Sequence, residues 1–297
     1  MQVGSLVGVG FAVLAALALA AQSLAVRVGT KTQSVAAVTA VMYAVNLVVL
    51  LPLAAVVAYP DFALTPRAVV AFAVAGLLGS LVGRLCYFIG IERLGSSRTE
   101  PLKALFPLVA VGTAVVVLGE EVTATLLAGV VLLVLGGAVV TLDSRDSPTT
   151  PQGRDLWIAL AFPLAAAFFL GVDPVFTKIG LAEGTSPLVG VTIRILAAGA
   201  GFAAYLLWRP ARTGGFESLQ VTRWLLVASV ANTVYLLAYY AALARIDVAV
   251  VTPVLGLSTL FVVAGAAVFL QGDERVTWRL VGATVIVVAG VVLVVQG

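Results

Sequence analysis

The chain of 297 residues contains no histidine, a single cysteine and few charges: its 17 Lys and Arg and 14 Asp and Glu make up 10% of the sequence. The absence of histidine excludes His-ligated metal sites and Ser-His-Asp triads. The lone Cys86 excludes a disulfide within the chain. The net charge of +3 is too small to indicate a nucleic-acid partner. Because average soluble domains are roughly 25% charged, this chain has too little charge to cover a water-soluble globule.

Long apolar runs dominate the sequence, of which 62% is hydrophobic. The runs are about 20 residues long, enough to cross a hydrocarbon core about 30 Å thick. They are continuously apolar rather than alternating, which favours helices over a β-barrel. We predict an all-α polytopic protein of the cell membrane with ten transmembrane helices. The predicted spans are residues 3–26, 35–59, 68–91, 99–118, 122–142, 157–177, 187–208, 224–244, 248–270 and 277–296.

An internal repeat organises these spans. A shift of 152 residues aligns Tyr87 to Gly119 with Tyr239 to Gln271, including the identical pairs Tyr87/Tyr239, Arg93/Arg245, Pro101/Pro253 and Leu105/Leu257. We therefore predict a first repeat at 1–142, a linker loop at 143–156 and a second repeat at 157–297, each repeat with five helices. Because five is odd, the second repeat must enter the membrane from the opposite face. Carriers with such inverted repeats bind substrate between the repeats, near the bilayer midplane.

Three stretches carry a resemblance to a known family: GRLCYFIGIERLGSSRTEPLKALFPLVAVGTAVVVLGEEVT, FLGVDPVFTKIG and YYAALARIDVAVVTPVLGLSTLFVVAGAAVFLQGDERVT. The chain resembles, over nearly its whole length, two copies of the EamA repeat of the drug/metabolite transporter (DMT) superfamily. The resemblance implies a ten-helix carrier with a central cavity lined mainly by the first, third and fourth helices of each half. Family members export amino acids, metabolites or drugs, and some import. The second helix of the repeat often carries an Arg, which is present as Arg194 but replaced by Tyr43 in the first half.

Three ionisable residues lie deep within the predicted spans: Arg84, Asp173 and Arg194. Charges at such depth are costly, so their default interpretation is functional. Asp173 and Arg194 belong to consecutive spans and lie near the same face, which predicts an ion pair. Arg84 is placed near the other face. The alternative for both arginines is that their long stems reach the headgroups.

Other charges lie closer to the predicted span ends. Glu100 and Lys103 open the fourth span, on the face assigned to Arg84, and Lys178 follows the sixth span. We expect interfacial solvation for these three rather than a functional role.

Asp173 aligns with Gln22 of the first half and precedes Pro174, which can break the helix and free backbone carbonyls. A buried carboxylate can carry a proton in a coupled carrier. A neighbouring Arg194 or Lys178 would instead hold the carboxylate in a fixed ion pair. The sequence leaves both roles open, and with them coupling to a proton or another ion.

Uncharged polar and aromatic residues complete a candidate cavity: Gln22, Asn46, Tyr87, Asn232, Tyr235, Tyr239 and Tyr240. Tyr235 and Tyr239 are four residues apart and share a helix face. Such a stripe can bind an amphipathic metabolite, or it can simply hold helices together. Pro101 and Pro253, near the starts of spans four and nine, suit the first turn of a helix. The family resemblance adds the alternative of cavity-shaping kinks.

The distribution of Lys and Arg predicts an orientation. Apart from Arg84 and Arg194, the loops after odd-numbered spans hold twelve of these residues and the opposite face holds three. By the positive-inside rule, both termini lie outside. The family resemblance implies termini inside.

We expect a secondary-active carrier of a small organic metabolite or drug, an exporter that works by alternating access. Nucleotide-binding motifs are absent from the sequence, which argues against direct ATP drive. The alternatives are an importer or exchanger of the same fold, a non-transporting membrane scaffold and an intramembrane enzyme. We expect no enzymatic activity, catalytic residue, metal or cofactor. The expected partners are the lipid bilayer and a small-molecule substrate, with the chain a monomer or a homodimer.

Overall fold

The computed structural model describes residues 3–103, 105–119, 123–145, 153–208, 221–269 and 277–296, and all the regular secondary structure in these ranges is helical. The helices are α1 (Val3–Gly29), α2 (Val35–Ala58), α3 (Pro66–Ala75), α4 (Arg84–Leu94), α5 (Ser96–Lys103), α6 (Phe106–Leu118), α7 (Ala124–Arg145), α8 (Arg154–Ala182), α9 (Pro187–Trp208), α10 (Arg223–Leu243), α11 (Val248–Leu255), α12 (Ser258–Phe269) and α13 (Trp278–Gln296), with a π-helical segment, Gly76–Gly83, between α3 and α4. Residues 146–152 of the predicted linker lie outside the described ranges.

Six helical stretches in the described part of the chain are long and apolar enough to cross a membrane, with shorter apolar helices beside them. Large apolar side chains stand exposed on their outer faces, including Val48, Val116 and Phe269. A surface of this kind is stable only against lipid. The all-α, multi-pass membrane fold predicted from composition is confirmed.

Polar loop residues set where several helices begin. The hydroxyls of Ser34, Thr65 and Thr222 accept hydrogen bonds from backbone N–H groups in the first turns of α2, α3 and α10. These N-caps satisfy donors that would otherwise be unpaired at the helix start. At the other end of α6, Gly119 adopts a left-handed conformation with φ of 69°, which suits glycine and terminates the helix.

Helices from the two sequence halves pack against one another rather than forming separate bundles. α1 packs along α10, α7 packs along α13, and α8 contacts α3, α4 and α6. The largest cluster of buried apolar side chains includes Leu19, Phe72, Ile195 and Leu236, drawn from both halves. The centre of the protein is therefore built jointly by the two halves.

The π-helical segment brings α3 and α4 unusually close to α8 and α9. A Cβ atom added at Gly79 would lie 2.6 Å from Cγ of Asp173, and one added at Gly76 would collide with the backbone oxygen of Arg194. Gly83 likewise faces Leu170 and Phe169, at 3.2 Å. Only glycine permits this approach, which places the segment directly against Asp173 and Arg194.

We expect Gly79→Ala to lower the free energy of unfolding by about 1–3 kcal/mol, the usual effect of overpacking a filled interior. Unfolding in mixed detergent micelles measures the change. Gly112→Ala on α6 is the matched control, because nothing lies within 4 Å of an added Cβ there. A Gly79→Ala protein as stable as the Gly112→Ala protein would contradict the close packing.

Two predicted spans, 99–118 and 248–270, are each divided into two helices. The first is α5 followed by α6, and the second is α11 followed by α12. α5 ends at Lys103 and α11 ends at Leu255, positions related by the 152-residue shift of the repeat. Each of these predicted spans therefore contains two helices, and the breaks fall at equivalent places in the two halves.

The expected helix break at Pro174 is also wrong. α8 runs without interruption from Arg154 to Ala182 and contains both Pro163 and Pro174. A proline inside a membrane helix is tolerated where neighbouring helices re-satisfy or enclose the freed carbonyl. α8 is enclosed in this way by α3, α4 and α6.

Candidate functional site

A small cavity lies at the centre of the protein, between the two sequence halves. Its volume is about 40 Å³, room for about three water molecules. The first half supplies Leu19, Gln22, Arg84, Tyr87, Lys103 and Phe106, and the second half supplies Leu170, Asp173, Arg194, Tyr235, Tyr239 and Leu255. The two helix breaks adjoin this space, since Lys103 and Leu255 are the last residues of α5 and α11.

Asp173 and Arg194 form a buried ion pair at this cavity. Nη2 of Arg194 lies 2.7 Å from Oδ2 of Asp173, with side chains only 1% and 2% exposed. Thr177 donates its hydroxyl to the other oxygen, Oδ1, at 3.4 Å. The predicted contact is confirmed, and the alternative that Arg194 reaches the headgroups is wrong.

The π-helical segment fixes the position of Arg194. Its Nε donates a hydrogen bond of 2.6 Å to the hydroxyl of Ser80. Tyr43, which replaces the expected Arg in the first half, donates its hydroxyl to the backbone oxygen of the same Ser80. The non-equivalent residues of the two halves thus meet at one turn of the π helix, a type of helix often found at functional sites.

Arg84 is buried as well, with 5% of the residue exposed, so its predicted alternative of reaching the headgroups is wrong. Its Nη1 atom lies 3.3 Å from Sδ of Met42, a weak acceptor. Arg84 lines the same cavity as Arg194, although the sequence placed the two near opposite faces.

Glu100 and Lys103 form a second buried ion pair, which corrects the expectation of interfacial solvation. Nζ of Lys103 lies 2.6 Å from Oε2 of Glu100, and their side chains are 3% and 0% exposed. Tyr87 donates its hydroxyl to Oε1 of Glu100. The Lys103 ammonium also lies 4.5 Å from the centre of the Tyr87 ring. The sequence could have indicated this ion pair, because Glu100 and Lys103 are opposite charges three residues apart on one helix.

Lys178 is the one of these three charges whose side chain is partly exposed. Its side chain is 26% exposed and lies 3.7 Å from Asp247. The ammonium donates to the backbone oxygens of Leu243 and Ile246 at 3.0 and 2.9 Å. Lys178 therefore ties α8 to the end of α10 and does not pair with Asp173.

The predicted polar and aromatic residues separate into two groups. Gln22, Tyr87, Tyr235 and Tyr239 line the cavity, and the rings of Tyr235 and Tyr239 stack with centroids 5.7 Å apart. Asn232 is buried outside the cavity lining, and its amide has no hydrogen-bond partner among the described residues.

Asn46 and Tyr240 also lie outside the cavity lining. Asn46 accepts a hydrogen bond of 2.7 Å from Thr233, so it joins α2 to α10 as the interhelical interpretation expected. Tyr240 lies with its ring centre 5.7 Å from the Arg194 guanidinium carbon.

Pro101 and Pro253 lie within α5 and α11, the two short helices that end beside the cavity. Their side chains are outside the part of the chain that the structure describes, so a cavity-shaping role stays a prediction. Among the described residues, no group of three or more His, Cys, Asp and Glu is placed to hold a metal ion.

Comparisons with known proteins agree with the resemblance read from the sequence. A family model described as the EamA-like transporter family matches residues 6–142 and 156–296. No curated protein matches the chain. A solved crystal structure aligns with a TM-score of 0.70 and 17% identity, covering 98% of each chain. At that identity the likeness shows the fold alone.

Proposed function

The chain belongs to the EamA-like transporter family, and from this premise we propose that it is a secondary-active carrier that exports a small organic metabolite or drug across the cell membrane. Family membership makes it a membrane transporter of the drug/metabolite type. The further proposal is that residues 1–142 and 157–297 form two inverted five-helix repeats, joined by 143–156. In this proposal the chain crosses the membrane ten times, and the cavity between the two repeats lies near the bilayer midplane, as in other carriers with inverted repeats.

The observation that carries this proposal is the central cavity lined by six residues from each half. A site shared between inverted repeats can open to one side when the repeats tilt one way and to the other side when they tilt back. The breaks after Lys103 and Leu255 support this mechanism, because interrupted helices at a binding site are typical of such carriers.

In the described conformation the site is small and deeply buried. The charged groups of Glu100, Asp173 and Arg194 are almost completely buried, and the cavity of about 40 Å³ is too small for a drug-sized molecule. This conformation therefore fits an occluded step of alternating access. We propose that loading and release need the halves to separate on one side at a time.

Transport by the purified protein in liposomes tests the function. We expect at least one radiolabelled compound from a panel of amino acids, nucleosides, organic acids and cationic drugs to enter with saturable kinetics. Unlabelled compound trapped inside is expected to accelerate that entry, because the loaded carrier returns its site to the outside by exchange. Protein-free vesicles are the control.

Three outcomes would contradict the proposal. Flux that neither saturates nor responds to trapped substrate indicates a channel. Chemical conversion of a panel compound without flux indicates an intramembrane enzyme. A panel that crosses no faster than in protein-free vesicles indicates a non-transporting membrane protein.

A further inference from the structure

The buried charges at the centre of the protein do not balance. Among the described residues, the buried ionisable acids and bases are Arg84, Glu100, Lys103, Asp173 and Arg194. Glu100 neutralises Lys103 and Asp173 neutralises Arg194, through the two ion pairs at 2.6 and 2.7 Å. Arg84 is left over, so the described residues leave one positive charge at the site uncompensated.

Arg84 has no carboxylate partner among the described residues. In that part of the chain, the hydrogen-bond acceptor of its guanidinium is the sulfur of Met42. Asp173 forms its ion pair with Arg194 at 2.7 Å, and no ion pair joins it to Arg84 among the described residues. A buried cation in this state is costly unless an anion joins it. Because Arg84 lines the cavity, a ligand that binds in the cavity can supply that anion.

Among the described residues, three further cavity-lining side chains carry a buried polar atom that makes no hydrogen bond. Nη1 of Arg194 is such a donor and Oε1 of Gln22 such an acceptor. Nζ of Lys103, although 2.6 Å from Glu100, is the third. Donors from two guanidinium groups match the two oxygens of a carboxylate. The Gln22 oxygen can accept a hydrogen bond from a hydroxyl or amide elsewhere on the same ligand.

The rest of the cavity wall is apolar and aromatic. Leu19, Phe106 and Leu255 face the space, together with the stacked rings of Tyr235 and Tyr239. This surface suits a hydrocarbon or aromatic group rather than a bare inorganic ion.

On the premise that the protein is the carrier proposed above, we propose that its substrate is an organic monoanion whose carboxylate binds Arg84. The apolar body of the substrate lies against the leucine, phenylalanine and tyrosine side chains. One negative charge makes the site electrically neutral once the halves have separated enough to admit the ligand, which removes the cost of the unpaired cation. A zwitterion would leave the positive charge uncompensated, and a cation would add to it.

Binding to the purified protein in nanodiscs tests the charge class without a variant. The probes are phenylpropanoate, phenylpropanamide, phenylalanine and phenylpropylamine, which share one aromatic body and differ in charge. We expect phenylpropanoate to bind about 10- to 150-fold more tightly than the neutral amide, the range for a hydrogen bond to a charged group. The zwitterion and the cation should bind no better than the amide.

Arg84→Gln tests the residue. We expect it to remove the preference for phenylpropanoate, while Arg84→Lys keeps a preference for the anion. The ligand-free Arg84→Gln protein should melt no lower than the wild type, because the substitution removes an unpaired buried charge. Arg67→Gln is the control, since Arg67 is an exposed cation paired with Glu183.

The inference is overturned if phenylalanine or the amide binds as tightly as phenylpropanoate, if Arg84→Gln keeps the preference, or if it lowers the melting temperature. If chloride stabilised the protein as strongly as phenylpropanoate does, the inference that the ligand is an organic anion would be overturned. Flux in liposomes is a separate readout. Flux without anion preference refutes only the inference, and Arg84-dependent binding without flux refutes only the carrier.

Discussion

Asp173→Asn is expected to lower the free energy of unfolding by about 3–5 kcal/mol, the loss typical of breaking one partner out of a buried ion pair. The asparagine leaves the Arg194 guanidinium, which is 1% exposed, without a compensating charge. Ser80 still accepts from Nε of Arg194, but a neutral hydroxyl cannot replace a carboxylate. Unfolding in mixed detergent micelles gives the measurement.

Two controls separate the buried pair from a general loss of charge. Arg67→Gln breaks the exposed ion pair in which Nη1 of Arg67 lies 3.2 Å from Oε1 of Glu183. This substitution should lower the free energy of unfolding by only about 0.2–1 kcal/mol. Asp173→Asn combined with Arg194→Gln should be more stable than Asp173→Asn alone, because Arg194 no longer leaves an unpaired buried charge beside position 173. If Asp173→Asn lowered the free energy of unfolding no more than Arg67→Gln does, the ion pair would not be a significant source of stability.

The double variant also decides between the two roles that the sequence left open for Asp173. Since Asp173 lies 2.7 Å from the Arg194 guanidinium, we propose a fixed ion pair rather than a proton carrier. Any acceleration of transport that a pH gradient causes in the wild type would then persist in the double variant, even where loss of the Arg194 donor weakens substrate binding. Its loss, with exchange of substrate retained, would assign proton coupling to Asp173.

The apolar fold and the Asp173–Arg194 contact could be predicted from the sequence for simple physical reasons. Each membrane helix must satisfy its own backbone, so apolar run length alone locates it. Asp173 and Arg194 lie in consecutive spans on either side of a short loop. Similar depth in neighbouring helices then leaves few other partners for either charge.

Burial of the remaining charges could not be predicted in this way, because it depends on packing between distant segments. Hydropathy placed Glu100 and Lys103 near a span end, but α5 already begins at Ser96, and contacts with α7, α8 and α12 enclose it. Helix periodicity likewise groups Asn232 with Tyr235, yet only Tyr235 faces the cavity. Sequence spacing defines a face and does not say which neighbour covers it.

Like Asp173→Asn, Glu100→Gln should lower the free energy of unfolding by about 3–5 kcal/mol. The substitution keeps an oxygen that can accept from the Tyr87 hydroxyl, so the change isolates the charge. Lys103, with a side chain 3% exposed, is then left unpaired beside Arg84 and Arg194 at the cavity. Unfolding in mixed micelles measures the loss, with Tyr87→Phe as the variant that removes the hydrogen bond and keeps the charge.

Lys103→Met in the Glu100→Gln background supplies the compensating change, since methionine fills a similar volume without a charge. We expect the double variant to recover most of the lost stability, because the cost lies in the unpaired ammonium and not in the missing carboxylate. A double variant no more stable than Glu100→Gln would show that packing around Glu100 dominates. Recovery would mean that each sequence half balances one buried ion pair of its own, so that Arg84 alone sets the charge of the shared cavity.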